Sequence, residues 1–236
     1  MTYQTLLLLS VAVAASAFVQ GAVGIGFALI IAPTLALLDP STLPVTLLIL
    51  MLPLNFIVAW RERAAIDRSG ATWITGGRFL GTFLGMAVLV ALSVRQLEIA
   101  VGLFTVLAAV VALAAPPFDP TRPSAIGVGL FTGVTETATG IGGPPLALLY
   151  QHAPGPVLRS TVATCFLVGE LISLVILALG GRVHAPQLTA ALWLMPAVFF
   201  GTAASRLAHR HINGPALRIA VLVFSMVSGA ALVLKG

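Results

Sequence analysis

Long apolar runs alternate with short polar breaks along the whole chain. Residues 5–38 carry no charge until Asp39. Such a run is too long for one bilayer span of about 20 residues and too short for two spans with a turn. Gly21, Gly24 and Gly26 interrupt it, and glycine weakens a helix interior. The pattern therefore predicts two half-helices, 5–19 and 27–38, meeting at the glycines. Asp39-Pro40-Ser41 reads as a turn and as the N-terminal cap of the next helix. Uninterrupted spans follow at 43–60, 71–92 and 97–115. The segment PPFDPTRP, 116–123, is a proline-rich linker. A second interrupted run, 124–152, predicts half-helices 124–139 and 144–152 around Gly140–Gly143. Spans 158–180, 186–205 and 214–235 complete the chain.

The order of one broken run and three spans thus occurs twice, in residues 1–115 and 124–236. Gly24-Ile25-Gly26 matches Gly140-Ile141-Gly142 at an offset of 116, and Gly81-Thr82 matches Gly201-Thr202 at 120. Ile99-Ala100-Val101 matches Ile219-Ala220-Val221 at the same 120. Loop charge bears on whether the copies run parallel or inverted, because Lys and Arg gather in cytoplasmic loops. If the broken runs re-enter on one side, Arg61, Arg63, Arg68, Arg122, Arg159, Arg206 and Arg210 share that side, against Arg95, Arg182 and Lys235. If they cross, the split of these ten narrows to six against four. The charges favour an inverted repeat, a plan that places broken helices at the midplane of transporters.

Composition sets the environment. Hydrophobic residues make up 59% and charged residues 8%, and mean hydropathy is +1.09. These values describe an all-α polytopic membrane protein embedded in lipid. The net charge of +5 rests on 12 Lys and Arg scattered through short loops. That distribution suits topology signals and not a nucleic-acid surface. Cys165 is the single cysteine, so neither an intrachain disulfide nor a multi-cysteine metal site can form. MTYQTLLLLS lacks the basic start of a signal peptide and is expected to stay in the mature chain.

The chemistry concentrates in Thr132–Pro145, TGVTETATGIGGPP. Gly140, Gly142, Gly143 and Pro144 break a helix inside an apolar run, and irregular backbone at membrane depth must line a cavity or be buried in protein. Exposed amides at half-helix ends, aided by the helix dipole, suit a small anion. Thr135, Thr137 and Thr139 could add hydroxyl donors. Glu136 lies within the break and falls opposite Gln20 across the repeat. Glu170 sits mid-span and falls within one residue of the position equivalent to Asn55. Intramembrane carboxylates are costly and serve a partner, a proton or a pathway; for Glu170 a protonated acid in one interhelical hydrogen bond serves equally. Arg78 lies about two turns into its span. The simpler account is snorkelling to the headgroups, the alternative a counter-charge for an anionic substrate or for Glu170.

Other chemistries fit poorly. GIGFALIIAP has no lysine or Ser/Thr at nucleotide-loop spacing, and Gly24-x-Gly26 alone is no dinucleotide signal. His152, His184, His209 and His211 do not converge in a metal-ligand spacing. No cofactor, metal site or enzymatic activity is expected. Gly77, Gly81 and Gly85 have the spacing of close helix packing, within one chain or across a homodimer.

The two glycine-proline runs, GAVGIGFALIIAP and TGVTETATGIGGPPLALLY, resemble the sulfite exporter TauE/SafE family of bacterial membrane permeases. The resemblance implies transport of small sulfur-containing anions across the bacterial inner membrane by an internally duplicated fold. It marks Gly24, Gly26 and Pro33 in the first half, and Thr139, Gly140, Gly142, Gly143 and Pro144 in the second. Family members often have a longer glycine cluster in the first half, where Phe27 follows Gly26 here. The expectation is a secondary transporter of a sulfur oxyanion or organosulfonate, with Glu136 or Glu170 coupling it to protons. Its rivals are a passive anion channel and a non-transporting membrane scaffold.

Overall fold

A computed structural model describes residues 3–23, 26–114, 120–208 and 214–235. Gly24, residues 116–119 of the 116–123 linker, and the loop holding His209, Arg210 and His211 lie outside the described residues. Ten α-helices are described: α1 (Tyr3–Val23), α2 (Phe27–Leu38), α3 (Val45–Arg61), α4 (Arg68–Ala91), α5 (Val94–Ala114), α6 (Arg122–Thr139), α7 (Gly143–Leu149), α8 (Gly155–Leu179), α9 (Ala185–Ala208) and α10 (Gly214–Leu234). Five of them, α1, α4, α5, α8 and α9, are long and apolar enough to cross a bilayer. The chain is an all-α polytopic membrane protein.

Gly26 and Gly140 stand at the breaks, but Gly21 lies inside α1, and the pieces are unequal. At 1.5 Å per residue, α1 with 21 residues and α6 with 18 are about 31 and 27 Å long. Their returning arms, α2 with 12 residues and α7 with 7, reach only about 18 and 10 Å. Each broken run is therefore a long arm and a short arm, and not a pair of half-helices. The next element also differs. Asp39 does not cap α3; its carboxylate accepts from Ser41 Oγ at 2.6 Å, and Pro40–Thr42 form a 3-10 turn. Pro44 occupies the N-cap of α3, so the proline delays that helix to Val45.

Packing interleaves the halves. Helix α4 lies against α6 and α8, while α9 lies against α1 and α3. Glycine permits both close crossings: a Cβ on Gly77 or Gly81 would strike the carbonyls of Ile126 or Leu130, and one on Gly201 the carbonyl of Ala14. The glycine seam of α4 is thus filled within the chain by α6, and its Phe79, Leu80, Phe83 and Leu84 face outward, to lipid.

Helix directions follow from the contacts. Gly77 meets Ile126 and Gly85 meets Val134, so α4 and α6 run parallel; Ala14 meets Gly201 and Gly21 meets Ser205, so α1 and α9 do too. Arg159 binds Glu62 at 3.0 Å, setting the start of α8 at the end of α3. Arg95 donates to the Leu232 and Val233 carbonyls at 3.1 and 3.2 Å, setting the start of α5 at the end of α10. Hence α3 and α8 are antiparallel, as are α5 and α10. Both ends of the α6–α7 run lie beside the start of α4. There the Arg122 guanidinium sits 5.4 Å from the Trp73 ring centre, and Tyr150 Oη donates to Asp67 Oδ2 at 2.8 Å. Burial and that bond push the Tyr150 phenol up from its ordinary range. The end of α2 lies at the opposite face, where Gln187 Nε2 donates to the Ser41 carbonyl at 3.3 Å and Thr46 Oγ1 donates to the Gln187 carbonyl at 3.0 Å.

Candidate functional site

The second break is built by its own residues. Gly140 ends α6 with φ 82°, a left-handed conformation that disfavours a Cβ. Its N–H donates to the Glu136 carbonyl at 2.7 Å. Thr139 Oγ1 donates to the Thr135 carbonyl at 2.7 Å and accepts from the Ile141 amide at 3.3 Å. Gly142 packs on α6, where a Cβ would lie 2.7 Å from Thr132 Cγ2 and 3.1 Å from Glu136 Cβ. Gly143, Pro144 and Pro145 then open α7, the prolines standing where no amide donor is required.

The first break has a different closure. Gly26, at φ 128°, precedes α2, and the Phe27 amide donates to Gln20 Oε1 at 3.0 Å. The two breaks meet. Gln20 and Gly26 from one, with Gly143 and Pro144 from the other, line a cavity of about 20 Å³ that Met51 and Phe166 also border. That volume holds about one water molecule. Thr135 and Pro144 also border a second, apolar space of about 60 Å³ beside Phe104, Phe131 and Ile141.

Behind Phe166 lies a buried charge cluster. The Arg78 guanidinium sits 5.4 Å from the Phe166 ring centre, and its Nη2 donates to Glu136 Oε2 in a close ion pair. Both side chains are fully buried. Arg78 does not snorkel: α6 and α8 enclose it, and Glu136 supplies its counter-charge. Gly169 makes room for it, since a Cβ there would land on the guanidinium. Glu170, also fully buried, accepts from Asn55 Nδ2 at 2.7 Å. Arg78 Nε and Nη1, Glu136 Oε1, Glu170 Oε2 and Thr132 Oγ1 have no hydrogen-bond partner among the described residues. Buried polar atoms are seldom left so.

Most of the residues singled out in the sequence come together here, though not always in the expected role. Gln20 and Glu136, which the sequence sets 116 positions apart, play different parts: one accepts from the Phe27 amide at the start of α2, the other binds Arg78. The threonines do not aim free hydroxyls at the cavity. Thr135 Oγ1 donates to the Thr132 carbonyl at 3.4 Å, Thr137 Oγ1 lies 2.8 Å from Ser173 Oγ, and Thr139 bridges its own turn. Phe166 and the Thr132 hydroxyl were missed; nothing in an apolar span marks a lining phenylalanine.

The motifs and the geometry meet in one comparison: the family described as "Sulfite exporter TauE/SafE" matches residues 8–232. The chain belongs to the sulfite exporter TauE/SafE family. The match covers both broken runs and all the helices between and after them, up to residue 232 of α10. The TauE/SafE assignment makes the chain a multi-pass membrane transporter. No curated protein and no solved structure matches it.

Proposed function

We propose that the protein is a secondary transporter for a small anion, a sulfur oxyanion or organosulfonate, in the bacterial inner membrane. The observation that carries this reading is the fully buried Arg78, with two unpartnered donor nitrogens, behind the cavity where the helix breaks meet. The halves act as an inverted duplication, supported by the antiparallel pairs α3–α8 and α5–α10. The positive-inside rule then puts the α3–α4 loop in the cytoplasm. A cavity of one-water size belongs to a closed carrier state; opening it requires the short arms α2 and α7 to shift against the rigid α1–α9 and α4–α6 pairs. Glu136 or Glu170 takes the proton that couples the anion to the proton gradient.

The test is a thermal-shift panel on detergent-purified protein, with sulfite, sulfate, thiosulfate, taurine, sulfoacetate, methanesulfonate and small carboxylates. A ligand bound only by the folded state raises stability with the logarithm of its concentration over Kd. A sulfur anion should raise the melting temperature, and Gly142→Ala should abolish the rise. A flat panel on cooperatively melting protein would overturn the anion reading.

A further inference from the structure

Three ionisable groups from three helices meet in the interior: Arg78 of α4, Glu136 of α6 and Glu170 of α8. Cys165 of α8 also lies within electrostatic reach of Arg78, and α3 presents Asn55, which does not titrate. A guanidinium carries five donors in a planar fork that matches two oxygens of an oxyanion. Here the fork spends Nη2 on Glu136 and leaves Nε and Nη1 without partners. Glu136 in turn keeps Oε1 free, and Thr132, one turn earlier on α6, keeps a free hydroxyl. Gly142 touches the side chains of both Thr132 and Glu136. The break that opens α7 therefore rests directly on the carboxylate that holds Arg78.

We propose that Arg78 is the ligand of the transported anion and that Glu136 is the carboxylate the anion displaces, protonation of Glu136 being the trigger. This rests on the anion-carrier reading above. In the empty carrier Glu136 occupies Nη2. A proton adds to a Glu136 oxygen, its negative charge is lost, and the ion pair opens. The protonated carboxyl turns to donate to Thr132 Oγ1, and two oxygens of the anion accept from the freed fork. On release the proton leaves Glu136 and the ion pair re-forms. No covalent bond of the substrate changes. Glu170, held by Asn55, keeps one protonation state throughout, so the cluster's net charge with a monoanion bound equals that of the empty cluster. A monoanion then moves with one proton and no net charge, and a dianion carries one negative charge across.

The experiment uses the full chain in detergent and methanesulfonate, an anion whose own charge is fixed near neutral pH. In weak buffer with a pH indicator, binding should take up one proton per anion. Affinity should fall about tenfold per pH unit once Glu136 is ionised in the empty protein, the slope for one linked proton. Glu136→Gln should bind with no proton uptake and a flat pH profile, and Arg78→Lys, which keeps the charge but not the fork, should weaken binding at least tenfold. Binding without proton uptake in the wild type, or unweakened binding by folded Arg78→Lys, would overturn the proposal. If Glu136→Gln fails to fold, Glu170→Gln takes its place: proton uptake that persists there supports Glu136 as the acceptor, and uptake that vanishes overturns the proposal. If the wild type binds no anion in the wider panel, it is the carrier reading that fails, and the exchange fails with it.

Discussion

Replacing Arg78 with methionine removes a guanidinium of zero exposure and leaves Glu136, equally buried, with neither carboxylate oxygen partnered. Breaking a buried pair from one side costs about 3–5 kcal/mol, because the remaining charge is stranded. For a chain of this size, at about 2–4 °C per kcal/mol, the melting temperature should drop by roughly 6–20 °C. Replacing both members with apolar residues strands nothing, so Arg78→Met/Glu136→Leu should regain at least half of that loss. Full recovery is prevented by Glu170, which loses its neighbouring cation and keeps only Asn55. Cys165 supplies the assay: it is the single cysteine and is buried, so a thiol-reactive dye reports unfolding without further labelling. A single variant that costs under about 1 kcal/mol would refute this reasoning. So would a double variant as unstable as the two singles added together.

Other substitutions separate packing from chemistry. Gly76→Ala meets open space and should stabilise α4 by up to about 1 kcal/mol, the helix propensity of alanine over glycine. Gly81→Ala, on the face against α6, should destabilise by about 1–3 kcal/mol through overpacking; dye-monitored melting ranks the two, and equal effects would refute the glycine seam. Gln20→Leu leaves the buried Phe27 amide without its acceptor and should cost about 1–3 kcal/mol, a loss that Gln20→Glu should largely avoid. Arg159→Gln removes a partly exposed partner of Glu62 and should cost no more than about 1 kcal/mol, fading at high salt.

Much of this architecture could be read from the chain because its determinants are local. An apolar run of span length declares a membrane helix wherever it packs, and Gly26, Gly140 and the Gly143-Pro144-Pro145 helix start declare breaks through backbone chemistry alone. What stayed hidden was long-range. Arg78 two turns into a helix is compatible with snorkelling, and only the approach of α6 and α8, licensed by glycines on three helices, removes that route. The length of α1 was underestimated because Gly21 reads as a helix breaker. In the fold it is an interior position that lets Ser205 approach. Asn55 and Glu170 were matched as equivalent depths; that they touch follows from the antiparallel crossing of α3 and α8, which no local pattern encodes. The threonines were legible as polar, but one turn of helix backbone satisfies Thr139 without any ligand.

Counterflow in proteoliposomes tests the central claim most directly. Vesicles preloaded with unlabelled sulfite or methanesulfonate should transiently accumulate the labelled anion above its outside concentration, saturably, and Arg78→Gln vesicles should not. Flux that rises linearly with concentration and shows no overshoot would make the protein a channel, and no flux of any sulfur anion would contradict the account outright.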